Sequence, residues 1–335
     1  MGDILPLLSS GGNCFILSSI KLPPMLTVMR PSVAILNVPD YTPAQLKSAV
    51  AKVLSASGLN ITPGQRILVK PNLVNGSNAR HCTTNPEIVK AACAWLLDHD
   101  AHVTVADSPA LGPAAYVARN SGLTKAVGAL GLKVTSLKRA VPLELSHGGS
   151  IGISQDALDA DLILNLPKLK VHCQMVMTGS VKNLFGCVVG FRKAMAHNRL
   201  GHSRDIFRSM LMDVYAALPH CHHLMDGIHA MHEDGPINGT PFELGLLGAS
   251  INGIALDTAA YTVLDLTPGR IPLWNEAQVR DMPGARTKDI DFPLGPPTGF
   301  DTTGFTLSPE RELSFAPSRV IKGRIRGLLK HFKKQ

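Results

Sequence analysis

The residues best suited to chemistry in this chain lie in one cationic stretch. Residues 162–204 contain seven lysines and arginines and three histidines but no aspartate or glutamate, although the chain as a whole has 25 acidic residues in 335. Cations that are interrupted by glycines and not balanced by carboxylates are typical of a site that attracts a negatively charged ligand. We therefore expect the functional site in this stretch.

Lys168, Lys170 and His172 are spaced two residues apart. On an extended segment, side chains at this spacing point to the same side. The spacing predicts that all three contact an anionic ligand. The alternative is the solvated face of an ordinary edge strand.

Lys182 lies in a second part of the stretch, where residues 180–189 predict a helix beginning at Thr178-Gly179-Ser180. Free N–H groups at such a start bind phosphate or carboxylate, and the lysine adds positive charge. Lys182 also suits covalent chemistry, because burial beside other cations lowers the pKa of a lysine and frees its amine as a nucleophile or base. Its neighbour Asn183 is a further candidate for ligand contact.

Three more candidates follow Lys182. Arg192 could grip a carboxylate or phosphate through two parallel hydrogen bonds, and Lys193 beside it is a second ligand-binding candidate. His197 is the candidate general acid or base, since histidine titrates near neutral pH. The alternative for His197 is an ordinary loop histidine.

Acidic residues and further histidines cluster later in the chain. Asp226 is the candidate carboxylate partner of the lysines. His229, His232 and Glu233 follow it closely and could bind a metal, although a lysine partner is the preferred interpretation of this cluster. The histidine-rich run 219–223 leads directly into a strand, which makes it a poorer set of ligands.

The surrounding sequence alternates between strand and helix patterns. Strands are predicted at 32–38, 66–69, 102–106, 133–137, 143–145, 162–166, 223–225 and 242–247, and helices at 42–57, 84–99, 113–120, 123–130, 204–218 and 254–263. The alternation predicts an α/β fold with a mostly parallel, doubly wound sheet. Residues 138–160 and 228–250 are predicted as β excursions that cover the crevice.

Polar residues recur at the carboxyl ends of the predicted strands. They are Lys70 and Asn72, Asp107 and Ser108, Lys168 and Lys170, and Asp226, and Thr84 at the start of the next helix joins them as a ligand-binding candidate. Ligands of open α/β sheets bind in the crevice beyond these ends. The set predicts one site, whereas any single member could be polar only because strand ends are wet.

Composition narrows the class of protein. A hydrophobic content of 45% and a charged content of 17% are typical of a folded chain, and an aromatic content of 5% disfavours base-stacking surfaces. There is no recognised nucleic-acid motif, and six scattered cysteines form no ferredoxin-type iron-sulfur motif. Because neither a signal peptide nor a transmembrane segment is recognised, the expected location is cytoplasmic.

Most of the net charge of +8 lies at the carboxyl end, where seven lysines and arginines and no acid follow Glu312. Residues 319–335 place apolar residues at helical spacing opposite these cations, a pattern that could contact an anionic membrane surface or an acidic partner. The preferred interpretation is a solvated terminus whose apolar residues dock on its own domain, because Gly323 and Gly327 weaken the helix. The predicted organisation is a poorly ordered leader at 1–31, an α/β domain at 32–300 and a basic tail at 301–335.

Ordered motifs spread over residues 32–295 resemble one family. They are Val69-Lys70-Pro71-Asn72-Leu73, Thr83-Thr84-Asn85-Pro86-Glu87, Ala106-Asp107-Ser108-Pro109, Asn165 to His172, Thr178 to Gly186, Gly190-Phe191-Arg192-Lys193, Met225-Asp226-Gly227, Gly235 to Pro241 and Ile254-Ala255-Leu256-Asp257. The sequence is identified by them as a member of the family called domain of unknown function 362. Some relatives carry a ferredoxin-like domain, but this chain lacks its cysteine runs, so the redox role it implies is not expected here.

A second resemblance concerns mechanism. The run from Val181 through Arg192 to His197 is similar to the glycine-rich, lysine-containing region of nickel-pincer lactate racemases, in which a lysine tethers a pyridinium-derived cofactor and histidines transfer protons. The resemblance implies such roles for Lys182 and His197. The early Asp-x-Thr-Arg element of those racemases is missing here, so the cofactor stays unknown.

Two classes of function are open. One is an enzyme acting on a small anionic metabolite or cofactor, by redox or racemase-type chemistry, with Lys182 and His197 central and Asp107 or Asp226 supporting. The other is a non-catalytic carrier that uses the same pocket. The density of ionisable residues at strand ends favours the enzyme.

Overall fold

The computed structural model describes residues 30–109, 112–189 and 204–309, without the side chain of Arg204. The candidate site residues Arg192, Lys193 and His197 lie outside the described residues. So do most of the predicted leader and the basic residues of the predicted tail.

The first part of the chain alternates strands and helices. It forms β1 (Val33–Asn37), α1 (Pro43–Ala56), β2 (Arg66–Pro71), α2 (Ala79–Cys82), α3 (Pro86–Leu97), β3 (His102–Asp107), α4 (Ala114–Ser121), α5 (Leu123–Gly128) and β4 (Val134–Ser136). The residues at the start of α3 cap the helix. The Asn85 side chain accepts a hydrogen bond from the backbone N–H of Glu87 at 2.9 Å, and Pro86 suits the first turn.

The second part carries the cationic stretch. It forms β5 (Ala140–Glu144), β6 (Ser150–Ser154), α6 (Gln155–Leu158), β7 (Leu162–Leu166), β8 (Lys168–His172), β9 (Val176–Thr178), α7 (Ser180–Asn183), α8 (Arg204–Ala217), β10 (Cys221–His232), β11 (Thr240–Ser250), α9 (Gly253–Val263) and α10 (Pro272–Val279). The predicted single helix over 180–189 is wrong, since α7 gives way to a 3-10 turn at Leu184–Cys187. That tighter turn brings Gly186 against Lys70 and Asp107, where a Cβ would overlap both side chains.

Nine strands form one sheet in the order β1-β11-β10-β7-β2-β3-β4, with β8 paired to β10 and β9 paired to β8. The pairs β10–β7, β7–β2, β2–β3, β3–β4 and β8–β10 are parallel. The pairs β1–β11, β10–β11 and β8–β9 are antiparallel. The prediction of an α/β fold with a mostly parallel sheet is confirmed.

Helices cover both faces of this sheet. One core contains Val69, Leu164 and residues of α1, α3 and α4, and another contains Leu68, Ile163 and residues of α8, α9 and α10. Successive strand residues face opposite sides, so β2 and β7 are buried on both faces. This explains their continuous apolar runs and the doubly wound architecture.

The strand order reverses between β2 and β7. From β2 the chain winds outward through β3 to β4, and it then returns to place β7 on the other side of β2, with β10 beyond it. Such a switch point leaves a crevice at the carboxyl ends of the two strands, where ligands of open α/β sheets bind. These ends meet at the pair Pro71 and Leu166, so the crevice lies beside Lys70 and Lys168.

The two predicted β excursions are hairpins with different contacts. The β5–β6 hairpin bonds to the segment just after the 3-10 turn, where the N–H of Val189 donates to the Gly152 carbonyl at 3.0 Å. The β10–β11 hairpin approaches the loop after β2, where Asn78 Nδ2 donates to the Ile237 carbonyl at 2.6 Å. None of the helices in the described ranges has the length and apolar character needed to cross a membrane.

Candidate functional site

Four lysines lie at or after the ends of the strands at this switch point and are named here the lysine rim: Lys70 at the end of β2, Lys168 and Lys170 on β8, and Lys182 in α7. The first three are buried and Lys182 is partly buried. Pro167 separates β7 from β8, and with no N–H to donate it interrupts the ladder, so the chain continues beside β10. The charge of Lys170 interacts with those of Lys168 and Lys182, which places it at the centre of the rim.

Lys70 is held by a buried carboxylate. Its Nζ lies 2.9 Å from Asp107 Oδ1, and neither side chain is more than 3% exposed. The Asp107 Oδ2 accepts a hydrogen bond from the backbone N–H of Leu73 at 2.9 Å, and Lys70 Nζ donates to the Pro71 carbonyl at 3.1 Å. Asp107, a candidate catalytic group from the sequence, therefore neutralises Lys70 and fixes the loop after β2.

Lys168 is held by a second buried carboxylate and a tyrosine. Its Nζ lies 2.9 Å from Asp226 Oδ2 and donates to the Tyr41 hydroxyl at 3.1 Å. Tyr41 donates to Asp226 Oδ1 at 2.8 Å, and the backbone N–H of Asn85 donates to Oδ2 at 2.8 Å. Burial raises the pKa of Tyr41, so its hydroxyl keeps the proton it donates. The Asp226 carboxylate thus binds β8, the loop before α1 and the start of α3 together.

Lys170 has polar partners but no counter-charge among the residues that the structure describes. Its Nζ donates to Asn72 Oδ1 at 2.6 Å and to the Cys82 carbonyl at 2.5 Å, and no carboxylate of the described residues lies within ion-pair distance. Burial lowers its pKa to about 7, the Cys82 thiol acts in the opposite direction, and the charges of Lys182 and Lys168 add to the lowering. Lys170 is therefore a buried cation that an anion would stabilise.

Lys182 has neither a hydrogen-bond partner nor an ion-pair partner among the described residues. Burial lowers its pKa to about 8, against an opposing effect of Cys173. The residues on both sides of it are fixed. The Val181 N–H donates to Asp257 Oδ2 at 3.1 Å, and Asn183 Nδ2 donates to Asn165 Oδ1 at 2.8 Å. The backbone of Lys182 is thereby anchored, while its amine has no partner in the described ranges.

Three asparagine side chains, Asn72, Asn183 and Asn165, form a hydrogen-bonded row that links the rim to the core and is called the amide row below. Asn72 Nδ2 donates to Asn183 Oδ1 at 2.6 Å, Asn183 Nδ2 donates to Asn165 Oδ1 at 2.8 Å, and Asn165 Nδ2 lies 2.9 Å from His223 Nδ1. Asn165 Nδ2 also donates to the Ser180 carbonyl at 3.0 Å. These bonds tie Lys170, through Asn72, to the backbone that carries Lys182.

The start of α7 is occupied by a carboxylate of the protein itself. The N–H groups of Ser180 and Val181 donate to Asp257 of α9 at 2.5 and 3.1 Å. The prediction that these N–H groups bind a ligand phosphate or carboxylate is therefore wrong. A side chain at Gly179 would overlap Asp257 and Tyr261, which explains the glycine there. Burial raises the pKa of Asp257 to about 7.

The raised pKa of Asp257 predicts a pH dependence of stability. The folded protein holds this proton up to about pH 7, whereas an unfolded aspartate loses it near pH 4. The contribution to the free energy of unfolding is therefore largest below pH 4 and falls by up to about 1.4 kcal/mol per pH unit up to pH 7. Urea unfolding of the wild type and of Asp257→Asn across this range measures it. An unchanged difference between the two proteins at all pH values contradicts the prediction.

The structure also places the other sequence candidates. The hydroxyl of Thr84 donates to the Leu166 carbonyl at 2.6 Å and accepts from the Asn72 N–H at 2.8 Å, so it joins the ends of β2 and β7. His172 Nδ1 accepts from the N–H groups of the β8–β9 turn, at residues 174 and 175. Ser108 is buried at the end of β3, beside Asp107.

The histidine candidates are dispersed. No group of three or more histidine, cysteine, aspartate or glutamate side chains in the described ranges could hold a metal ion, and His229, His232 and Glu233 form none. His222 lies 2.8 Å from the Ser57 hydroxyl, and burial lowers the pKa of both His222 and His223 to about 3. His222 and His223 are therefore neutral residues of the core.

Several residues of the site were not found from sequence. Tyr41 and Cys82 carried no motif that marked them, and Asn165 was seen only as part of a longer run. Asp257 did carry a signal, because it is a single acid in the apolar helix α9. A buried acid in such a helix needs donors, and the N–H groups of α7 supply them.

A doubly wound α/β sheet with a lysine rim at its switch point defines the class of this protein. The chain belongs to the family described as "Domain of unknown function (DUF362)", which matches residues 67–262 and so includes the whole rim. A thylakoid-associated protein of Synechocystis sp. is 34% identical over 308 residues, covering 90% of this chain and 94% of that protein.

Two solved structures are similar at low identity. A Thermotoga maritima protein from a structural genomics programme aligns with a TM-score of 0.45 and 10% identity, over 69% of this chain and 61% of that one. The lactate racemase apoprotein of Thermoanaerobacterium thermosaccharolyticum aligns with a TM-score of 0.41 and 11% identity, over 66% of this chain and 54% of that one. This chain thus spans less than two thirds of either structure.

Proposed function

We propose that the protein is an enzyme that binds a small anionic metabolite or cofactor at the lysine rim. The observation that carries the proposal is the charge balance: within the described residues, Lys70 and Lys168 are the two lysines of the rim that have carboxylate partners. Lys170 and Lys182 have none among the described residues, and the surrounding apolar core disfavours their charged forms.

A bound anion would supply the missing counter-charge. Burying an ammonium without a partner costs several kcal/mol, and a carboxylate or phosphate in the crevice would reduce that cost. The position of the lysine rim also favours anion binding, because the rim lies at the strand switch point where α/β proteins bind ligands. Amines that titrate near neutral pH at such a point favour an enzyme over a carrier.

The proposal predicts that anion affinity falls as the pH rises through 7 to 8. Lys170 and Lys182 carry their protons below these values, and a bound anion favours the charged forms, so binding near pH 8 takes up protons. Calorimetric titration with glycolate, which stays a monoanion over this range, at about pH 6 and about pH 9 and in buffers of different ionisation enthalpy, measures both effects. An affinity that is constant or rises with pH excludes the proposed site.

We propose a second role, peripheral attachment to an anionic membrane surface through residues 319–335. The thylakoid-associated relative favours it, together with the seven lysines and arginines that follow Glu312 without any acid. Each basic residue near an anionic surface contributes about 1 kcal/mol, and the attraction is screened by salt.

Vesicle sedimentation tests this second role. The full chain is expected to sediment with vesicles containing phosphatidylglycerol but not with pure phosphatidylcholine vesicles, and to be released by high salt. A variant ending at Ser318 is expected to stay in solution with both. Equal sedimentation of the two proteins would mean that the tail is not the attachment site.

A further inference from the structure

Lys182 differs from the other lysines of the rim in that its amine has no hydrogen-bond or ion-pair partner among the described residues. Lys70, Lys168 and Lys170 each donate to at least one protein oxygen within 3.1 Å. Their positions are fixed by these bonds, so they serve as electrostatic contacts for a ligand. Lys182 has no such bond in the described part of the chain, and the residue is partly exposed.

The surroundings of Lys182 suit a nucleophile. The bonds to Val181 and Asn183 hold its backbone, and burial disfavours the ammonium form of its side chain. Close to pH 8, a large share of its amine is neutral, whereas an ordinary lysine is about 99% protonated at that pH. In the free site Lys170 has the lower pKa of the two, so a bound carboxylate is what keeps Lys170 charged beside the neutral amine of Lys182, the arrangement that lysine nucleophiles require.

We propose that Lys182 condenses with the carbonyl group of a small anionic ligand, a carboxylate bearing an adjacent aldehyde or ketone, while Lys170 binds the carboxylate. This inference rests on the anionic site proposed above.

The step balances without an oxidant or a metal. The Lys182 nitrogen attacks the carbonyl carbon, and transfer of a proton from nitrogen to oxygen gives a carbinolamine. Protonation of its hydroxyl by the Lys170 ammonium lets water leave, and an iminium bond forms between the nitrogen and the former carbonyl carbon. One proton is consumed and one water is released. A pKa near neutrality allows Lys170 to recover its proton from solvent.

Reductive trapping tests the proposal on the full chain. Glyoxylate is the probe, cyanoborohydride is the trap, and peptide mapping by mass spectrometry measures the carboxymethyl adduct at each lysine. Lys182 is expected to be modified at least about tenfold faster than Lys133, an exposed lysine that serves as internal reference. Glycolate, which has the same charge but no carbonyl group, is expected to protect Lys182 and not Lys133.

Lys182→Arg is the matched variant, because it keeps the charge and removes the nucleophile. It is expected to bind glycolate in calorimetry and to melt at the wild-type temperature while losing the fast adduct. Modification of Lys182 no faster than Lys133, with glycolate binding intact, overturns the inference and leaves the anionic site standing. Absence of glycolate binding to the wild type overturns both.

Discussion

Lys170→Met is expected to weaken binding of phosphate or glycolate by about 2–3 kcal/mol, or about 30- to 100-fold. Lys170 is the buried cation at the centre of the rim, and it has no carboxylate partner among the described residues. A charge-assisted hydrogen bond from it to the ligand would be lost, and methionine restores most of its volume without its charge. Calorimetric titration near pH 6 measures the change.

The stability of the same variant separates a binding role from a structural one. Removing an unpaired buried charge relieves a desolvation penalty, which offsets the loss of the hydrogen bonds to Asn72 and Cys82. The midpoint of urea unfolding is therefore expected to change little. Lys133→Met, at an exposed position, is the control for binding. Unchanged affinity in Lys170→Met, or the same loss in both variants, rules out the rim as the site.

Asp226→Ala is expected to reduce the free energy of unfolding by about 3–5 kcal/mol. Three donors converge on this carboxylate, from Lys168, Tyr41 and the backbone of Asn85, and the side chain is fully buried. Its removal leaves the Lys168 ammonium buried without a partner. Urea unfolding at neutral pH measures the loss.

A double variant keeps this prediction testable if Asp226→Ala does not fold. Lys168→Met combined with Asp226→Ala removes both charges, so it is expected to recover much of the lost stability. Asp161→Ala breaks the exposed ion pair with Arg66 and is expected to have a much smaller effect. If Asp226→Ala and Asp161→Ala destabilise the protein equally, the buried pair is not a major source of stability.

The fold could be predicted from sequence because its signals are local. The strand β7 is a short apolar run, and α3 begins at an asparagine followed by proline and glutamate, so both are marked by adjacent residues. The lysines of the crevice were found for a related reason. Parallel strands end at one edge of a sheet, and the polar residue at each end could be read from its own strand.

The pairings within the site could not be predicted in this way, because they join residues far apart in the chain. Lys168 could have paired with any acid, and nothing near it in sequence indicates Asp226 or Tyr41. The prediction that the N–H groups at the start of α7 bind a ligand was wrong for the same reason. A helix start with free N–H groups is a local pattern, but whether a ligand or Asp257 occupies it depends on how α9 packs against it.

The hydrogen bonds of the amide row all run in the same donor-to-acceptor direction, from Lys170 toward His223. An amide accepts through oxygen and donates through nitrogen, so the ammonium of Lys170 orients Asn72, and through it Asn183 and Asn165, in one sense. His223 Nδ1 must then be an acceptor, which places its proton on Nε2. A chain of hydrogen bonds thus runs from a lysine of the candidate site to a histidine in the core and fixes the tautomer of that histidine, which the ¹⁵N chemical shifts of His223 would report.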